Sequence, residues 1–138
     1  MLDYAKQAEA GSCLNTPPIF ACYVAWQMLR WIDELGGVAA MHQNSVERST
    51  SLYDCIVQSS IYVNEVAPEY RSRMNVHFRI RPQRLESLFL EHATAEGFIG
   101  LRGHRAVGGL RASLYNAMSR DDAHALIDFM MHFVKCKG

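Results

Sequence analysis

Arg102-Gly-His-Arg-Ala-Val-Gly-Gly-Leu-Arg-Ala-Ser-Leu-Tyr-Asn-Ala-Met118 changes character half-way along its length. The first half carries glycines at 103, 108 and 109 among Arg102, His104 and Arg105, with no acid to neutralise them. Glycine lets a backbone turn through positive φ and come close to a ligand, so this half predicts a loop. The second half sets Leu110, Ala112 and Leu114 against Arg111, Ser113 and Tyr115, the alternation of a half-buried strand over 110–115. Arg111 then stands on a rigid element, on the face away from the core, while His104 and Arg105 sit on the loop before it. Guanidinium presents a fork of donors matched to carboxylate and phosphate oxygens. Loop and strand together predict a pocket for a small ligand with two anionic ends.

The rest of the chain builds outward from that strand. Arg73 to Ile80 alternates Met74, Val76, Phe78 and Ile80, which predicts a second strand, and Phe98 to Leu101 predicts a short third one leading into the loop. Ile19 to Leu35 predicts a helix that starts after Pro17-Pro18 and stops at Gly36-Gly37. Its Phe20, Tyr23, Trp26, Leu29 and Trp31 exceed a single stripe, so core is expected on one side and another subunit or domain on the other. Val38 to Ser59 reads as a more amphipathic helix, spaced by Val38, Met41, Ser45, Arg48, Leu52 and Ile56. Pro82 opens a helix closed by Gly97. Ser119 with Asp121 and Asp122 begins a final helix. That order predicts an α+β fold, a small sheet with helices packed on one face.

Composition narrows the partners. A chain of 138 residues buries one core, so a single domain over 1–138 is expected. Fourteen Lys and Arg balance fourteen Asp and Glu, which argues against nucleic acid or an anionic membrane as partner. Cys13, Cys22, Cys55 and Cys136 lack metal-ligand spacing, and residues 1–11 lack the apolar core of a signal sequence. Reduced, mostly buried thiols in a cytoplasmic protein are expected. His124, Asp128 and His132 share a helical face, but a solvated polar face explains them and no metal is assigned. Asn15 and Thr16 are helix-capping types. Arg71 and Arg73 are read as structural, paired with Glu65 and Glu69.

Gly103-His-Arg-x-Val-Gly-Gly-x-Arg-Ala-Ser-x-Tyr-Asn-Ala-Met118 closely resembles the C-terminal signature of the phosphoserine aminotransferases, pyridoxal-phosphate enzymes of serine biosynthesis. Asn15-Thr-Pro-Pro18, Trp31 followed by Gly36-Gly37, and Arg71-Ser-Arg-Met-Asn-Val76 agree with it, so the resemblance runs from about Leu2 to Phe133. Ile19, Leu110 and Ser119 depart from commoner threonine, methionine and proline, without touching a proposed contact. Arg102 stands where lysine is common.

The resemblance implies the small domain of a fold-type I, class-V aminotransferase that exchanges an amino group between glutamate and 3-phosphohydroxypyruvate. It implies that Arg111 grips the α-carboxylate of the substrate and that His104 and Arg105 hold its phosphate. Asn15 and Thr16 are implied to reach the phosphate of pyridoxal phosphate in the other subunit of a homodimer. None of Lys6, Lys135 or Lys137 matches the lysine that bonds the cofactor. The large domain bearing that lysine is expected to be absent, no catalytic residue is assigned, and this chain alone is expected to be inactive. Two alternatives remain: a non-catalytic interaction or dimerisation module, and a stand-alone phosphate-binding domain.

Overall fold

The computed structural model describes residues 3–137. Its backbone divides into two compact units, 1–40 and 41–138. The first holds α1 (Tyr4–Glu9) and α2 (Ile19–Glu34). The short α1, which sequence patterning missed, is capped by Asp3, whose side chain accepts from the Lys6 backbone N–H. Pro17 and Pro18 cannot donate, and α2 begins directly after them with Pro18 as its uncapped N-terminal residue. It makes its polar contacts within itself: Gln27 donates to Tyr23 Oη at 2.8 Å, and Arg30 pairs with Glu34 at 3.1 Å while stacking over Trp26. No residue of α2 is buried.

The long helix α3 (Gly37–Gln58) leads into the second unit, which continues through β1 (Tyr62–Val63), β2 (Asn75–Ile80), α4 (Leu85–Ala95), β3 (Leu110–Ser113) and α5 (Arg120–Lys137). The three strands form one antiparallel sheet in the order β1-β2-β3. Alternation along β2 gives it two unlike faces. Val76, Phe78 and Ile80 are fully buried, whereas Asn75, His77 and Arg79 are half-buried. The buried face joins Leu52 and Ile56 of α3, Phe89 of α4, and Met130 and Phe133 of α5 in one core. Edge-to-face rings run through it, Tyr62 to Phe78 to Phe89 to Phe133, with centroids 5.2–6.1 Å apart. The Tyr62 hydroxyl donates to the Met130 carbonyl at 3.0 Å, and burial raises its pKa well above the ordinary tyrosine value.

The α+β class and the position of β2 agree with the sequence reading, with differences that have local causes. Phe98 to Leu101 is not a strand. Gly97 and Gly100 both take positive φ, +89° and +76°, which breaks extension, and only Arg102 makes an isolated bridge to Leu110. The helix expected from Pro82 starts at Leu85, after a turn closed by the Leu85 N–H bond to the Pro82 carbonyl. β3 stops at Ser113, although Leu114 N–H still bonds Met74. β1 is too short to show as a pattern. Ser119 and Asp122 do form a reciprocal capping box on α5: each accepts from the other's backbone N–H, at 2.9 and 3.0 Å. The Ser119 hydroxyl also donates to Asp122 Oδ2 at 2.6 Å, and this bond, followed by that from the Ser119 N–H, lowers the Asp122 pKa.

Candidate functional site

The open face of the β2–β3 pair carries polar side chains opposite the core. Register sets Asn75 beside Ser113 and His77 beside Arg111, and the Ser113 hydroxyl donates to Asn75 Oδ1 at 3.1 Å. Arg111 is anchored from behind, because its N–H bonds the Leu101 carbonyl at 2.8 Å. Arg111 is half-buried and lines a cavity of about 530 Å³ with Phe98, Ile99, Ser113, Met118 and one acid, Asp122, whose carboxylate is engaged by Ser119. Arg111 Nε is buried and has no acceptor among the described residues. Leaving such a donor unpaired costs about 1–3 kcal/mol, so an anion that reaches it is held strongly.

The loop 103–109 is closed at its base by the Gly103 N–H bond to the Gly109 carbonyl, 2.8 Å. The closure requires glycine: a Cβ on Gly103 would lie 2.1 Å from the Gly108 carbonyl oxygen. Inside the loop the His104 carbonyl accepts from the N–H groups of Val107 and Gly108. His104 Nδ1 accepts from the Ala106 N–H at 3.2 Å, so the neutral ring carries its proton on Nε2. That leaves an outward donor on an exposed side chain. Arg102 and Arg105 are exposed as well, and neither joins a hydrogen bond or ion pair among the described residues. His104, Arg105 and Arg111 therefore share one loop and the strand it feeds.

Asn15 and Thr16 belong to the other compact unit. Both are exposed just before α2, and neither caps it, since Pro18 occupies the capping position without a side-chain bond. Two further expectations are corrected. Cys13, Cys22 and Cys136 are exposed and Cys55 is half-buried, so the thiols are free but not mostly buried. Glu65 pairs with Arg79 and Arg81 rather than with Arg71 or Arg73. Arg71 instead stacks on Tyr53, and Arg73 meets His42 at 3.3 Å. Among the described residues no group of three His, Cys, Asp or Glu side chains is placed to hold a metal ion, and no helix is long and apolar enough to cross a membrane.

Sequence reasoning also passed over two residues of the open face, His77 and Arg79, whose side chains bond the loop. The alternation of β2 put them on the face of Arg111, which was the available signal. Arg48 was legible only as a helical position. It is buried, with one bond from Nη1 to the Met118 carbonyl at 2.7 Å, while its Nε and Nη2 have no partner among the described residues. Burial and the nearby charge of Arg120 lower its pKa.

Comparison with known proteins gives a single direction. The chain is 46% identical to the phosphoserine aminotransferase of Coxiella burnetii over 137 residues, 99% of this chain and 38% of that protein. It superposes on the phosphoserine aminotransferase of Bacillus circulans subsp. alkalophilus with a TM-score of 0.89 at 41% identity, over 98% of this chain and 38% of that one. It also matches a pyridoxal-phosphate-bound phosphoserine aminotransferase from Trichomonas vaginalis, with a TM-score of 0.82 at 36% identity, over 94% and 37%. The chain thus spans little more than a third of the length of these relatives. The aminotransferase class-V family matches residues 1–126, and this chain belongs to that family.

Proposed function

We propose that this chain is the C-terminal, small-domain part of a phosphoserine aminotransferase, where it holds the acidic ends of glutamate and 3-phosphohydroxypyruvate. The observation that carries the reading is Arg111: a guanidinium on an anchored strand, with a buried Nε lacking a partner among the described residues, beside a loop of donors free of acids. Arg111 grips the α-carboxylate that both substrates share. Two-point pairing orients the Cα–H bond as well as binding the acid. His104 Nε2–H and the Arg105 guanidinium take the phosphate, whose charge of roughly −1.5 to −2 calls for more than one donor.

Pyridoxal phosphate, when bound, supplies the electron sink for breaking the Cα–H bond. The residues of this chain fit a supporting role toward it. The side chains of Asn15 and Thr16 are exposed and make no hydrogen bond among the described residues, which leaves them available to a phosphate. Among the described residues, neither Lys6 nor Lys135 is suitably placed to attach the cofactor. Lys6 is paired with Asp3 at 4.0 Å, and Lys135 lines a different cavity from Arg111, with Cys55 and Tyr62. Attachment therefore falls to a lysine elsewhere in the complete enzyme. The exposed apolar side of α2 supports a two-fold dimer in which Asn15 and Thr16 serve the partner's cofactor. Four unpaired cysteines suit the cytoplasm. The same face of α2 is what favours a second reading, a non-catalytic interaction module.

Two experiments test the proposal. In the complete enzyme Arg111→Lys should slow both half-reactions, whereas Arg105→Ala should fall mainly on the phosphorylated substrate, each by about one to two decades in kcat/KM. An equal loss on glutamate from Arg105→Ala would overturn the division of labour. Mixing one inactive variant without the attaching lysine and another with Asn15 and Thr16 both changed to alanine should restore activity in the heterodimer. Subunit exchange without recovery rules out donation across the dimer.

A further inference from the structure

We infer that His77 is a positioning residue that sets the span between the Arg111 grip and the His104–Arg105 grip; the inference rests on the function proposed above. His77 lies on β2, the central strand, directly opposite Arg111. Its Nε2 meets the Gly108 carbonyl at 3.1 Å, with the ring donating. Two residues along the same face, Arg79 Nη2 donates to the neighbouring carbonyl, that of Val107, at 2.8 Å. Arg79 is itself aimed by Glu65, 3.3 Å from its Nε. The strand thus holds two consecutive carbonyls of the loop.

These contacts act directly on the anion-binding side chains. The amides of Val107 and Gly108, whose carbonyls are held, donate to the His104 carbonyl. A shift of the Gly108 carbonyl therefore carries His104 and Arg105 with it, while Arg111 stays fixed to Leu101. Close approach of ring and loop depends on Gly109, where a Cβ would come within 3.2 Å of His77 Nε2 and 2.9 Å of the Phe78 carbonyl oxygen. An imidazole on a central strand is a stiff spacer with few rotatable bonds, and it donates at its far tip. The span it sets decides which acids reach both grips at once, so His77 governs preference for the phosphorylated substrate without touching it.

The test is steady-state kinetics of the complete enzyme with each substrate varied. His77→Ala should raise KM for the phosphorylated substrate about 3- to 10-fold, the worth of one neutral hydrogen bond, and leave kcat and KM for glutamate within about twofold. His77→Gln should recover most of the loss, because the amide Nε2 can donate to the same carbonyl. Amide exchange at Val107 and Gly108 should quicken in His77→Ala and return in His77→Gln. Equal changes in both KM values, or no recovery with glutamine, overturn the assignment. Arg105→Ala, run in parallel, separates the failures. If Arg105→Ala raises KM for the phosphorylated substrate and His77→Ala does not, the His77 role falls and the proposed function stands. If Arg105→Ala changes nothing, both fall.

Discussion

Helices α2 and α3 invert the usual link between composition and burial. α2 places Phe20, Tyr23, Trp26 and Leu29 on the surface, with Phe20 80% exposed, and buries nothing. α3 is far more polar, yet buries Met41, Ser45, Arg48, Ser49, Leu52, Tyr53 and Ile56. Three of those are polar or charged, and each finds a carbonyl: Ser45 at His42, Ser49 at Val46, Arg48 at Met118. Hydrophobicity in a helix states a need for cover, while burial records where cover is supplied. For α3 the supplier is the sheet and the helices of its own unit. For α2 it is proposed to be a second subunit.

Matched substitutions sharpen that contrast. Leu52 on α3 is 1% exposed, and Leu52→Ala should cost about 2–5 kcal/mol in urea denaturation, through lost transfer energy and a residual cavity. A value below that range would mean that the core of the second unit is loose. Next in size is the cap of α5: Ser119→Ala removes both bonds that the hydroxyl makes with Asp122, leaves the backbone N–H bond to the carboxylate, and should cost about 1 kcal/mol. The same box gives a pH signature. The Asp122 pKa is lowered in the fold from its ordinary 3.8 by the Ser119 bonds, so its contribution is present above that value and is lost as pH falls through the lowered one. Thermal melts in that acid range should show this component weakened in Ser119→Ala, where only the backbone N–H bond to Asp122 remains. Smallest is Leu29→Ala on α2, 65% exposed, which should change the stability of this chain by less than about 0.5 kcal/mol. A cost near that of Leu52→Ala would show α2 to be covered in solution, and dilution should then abolish it.

Much of this was legible in local patterning, and the remainder depended on distant partners. The spacing of Met41, Ser45, Arg48, Leu52 and Ile56 picked out the buried side of α3 and failed only at Val38, which is 80% exposed. Alternation in β2 and β3 assigned Val76, Phe78, Leu110 and Ala112 to the core and Arg111 to the other face. The grouping of His104, Arg105 and Arg111 is a fact of proximity in sequence, and their placement on one loop and strand followed. The latch from His77 and Arg79 to that loop depends on antiparallel register between strands some thirty residues apart, as in the 31-residue separation of His77 and Gly108. Periodicity within one strand does not report what lies across from it. The short segments failed for a related reason. Two paired residues in β1 carry no pattern, and 98–101 reads as apolar and extended until its glycines are seen at positive φ.

The bonds from Arg48 to Met118 and from Tyr62 to Met130 span 70 and 68 residues of chain. Phe133, on the last helix, closes the ring stack that begins at Tyr62. During synthesis β2 emerges before α4 and α5, and its apolar face has no complete cover until residue 133 has left the ribosome. At about 5–20 residues per second the roughly fifty residues between Ile80 and Phe133 take several seconds to arrive. Through that interval Val76, Phe78 and Ile80 form an uncovered β-strand, the kind of segment that chaperones bind and that pairs with other nascent chains. The order in which the ribosome delivers its parts makes this sheet a late-closing one.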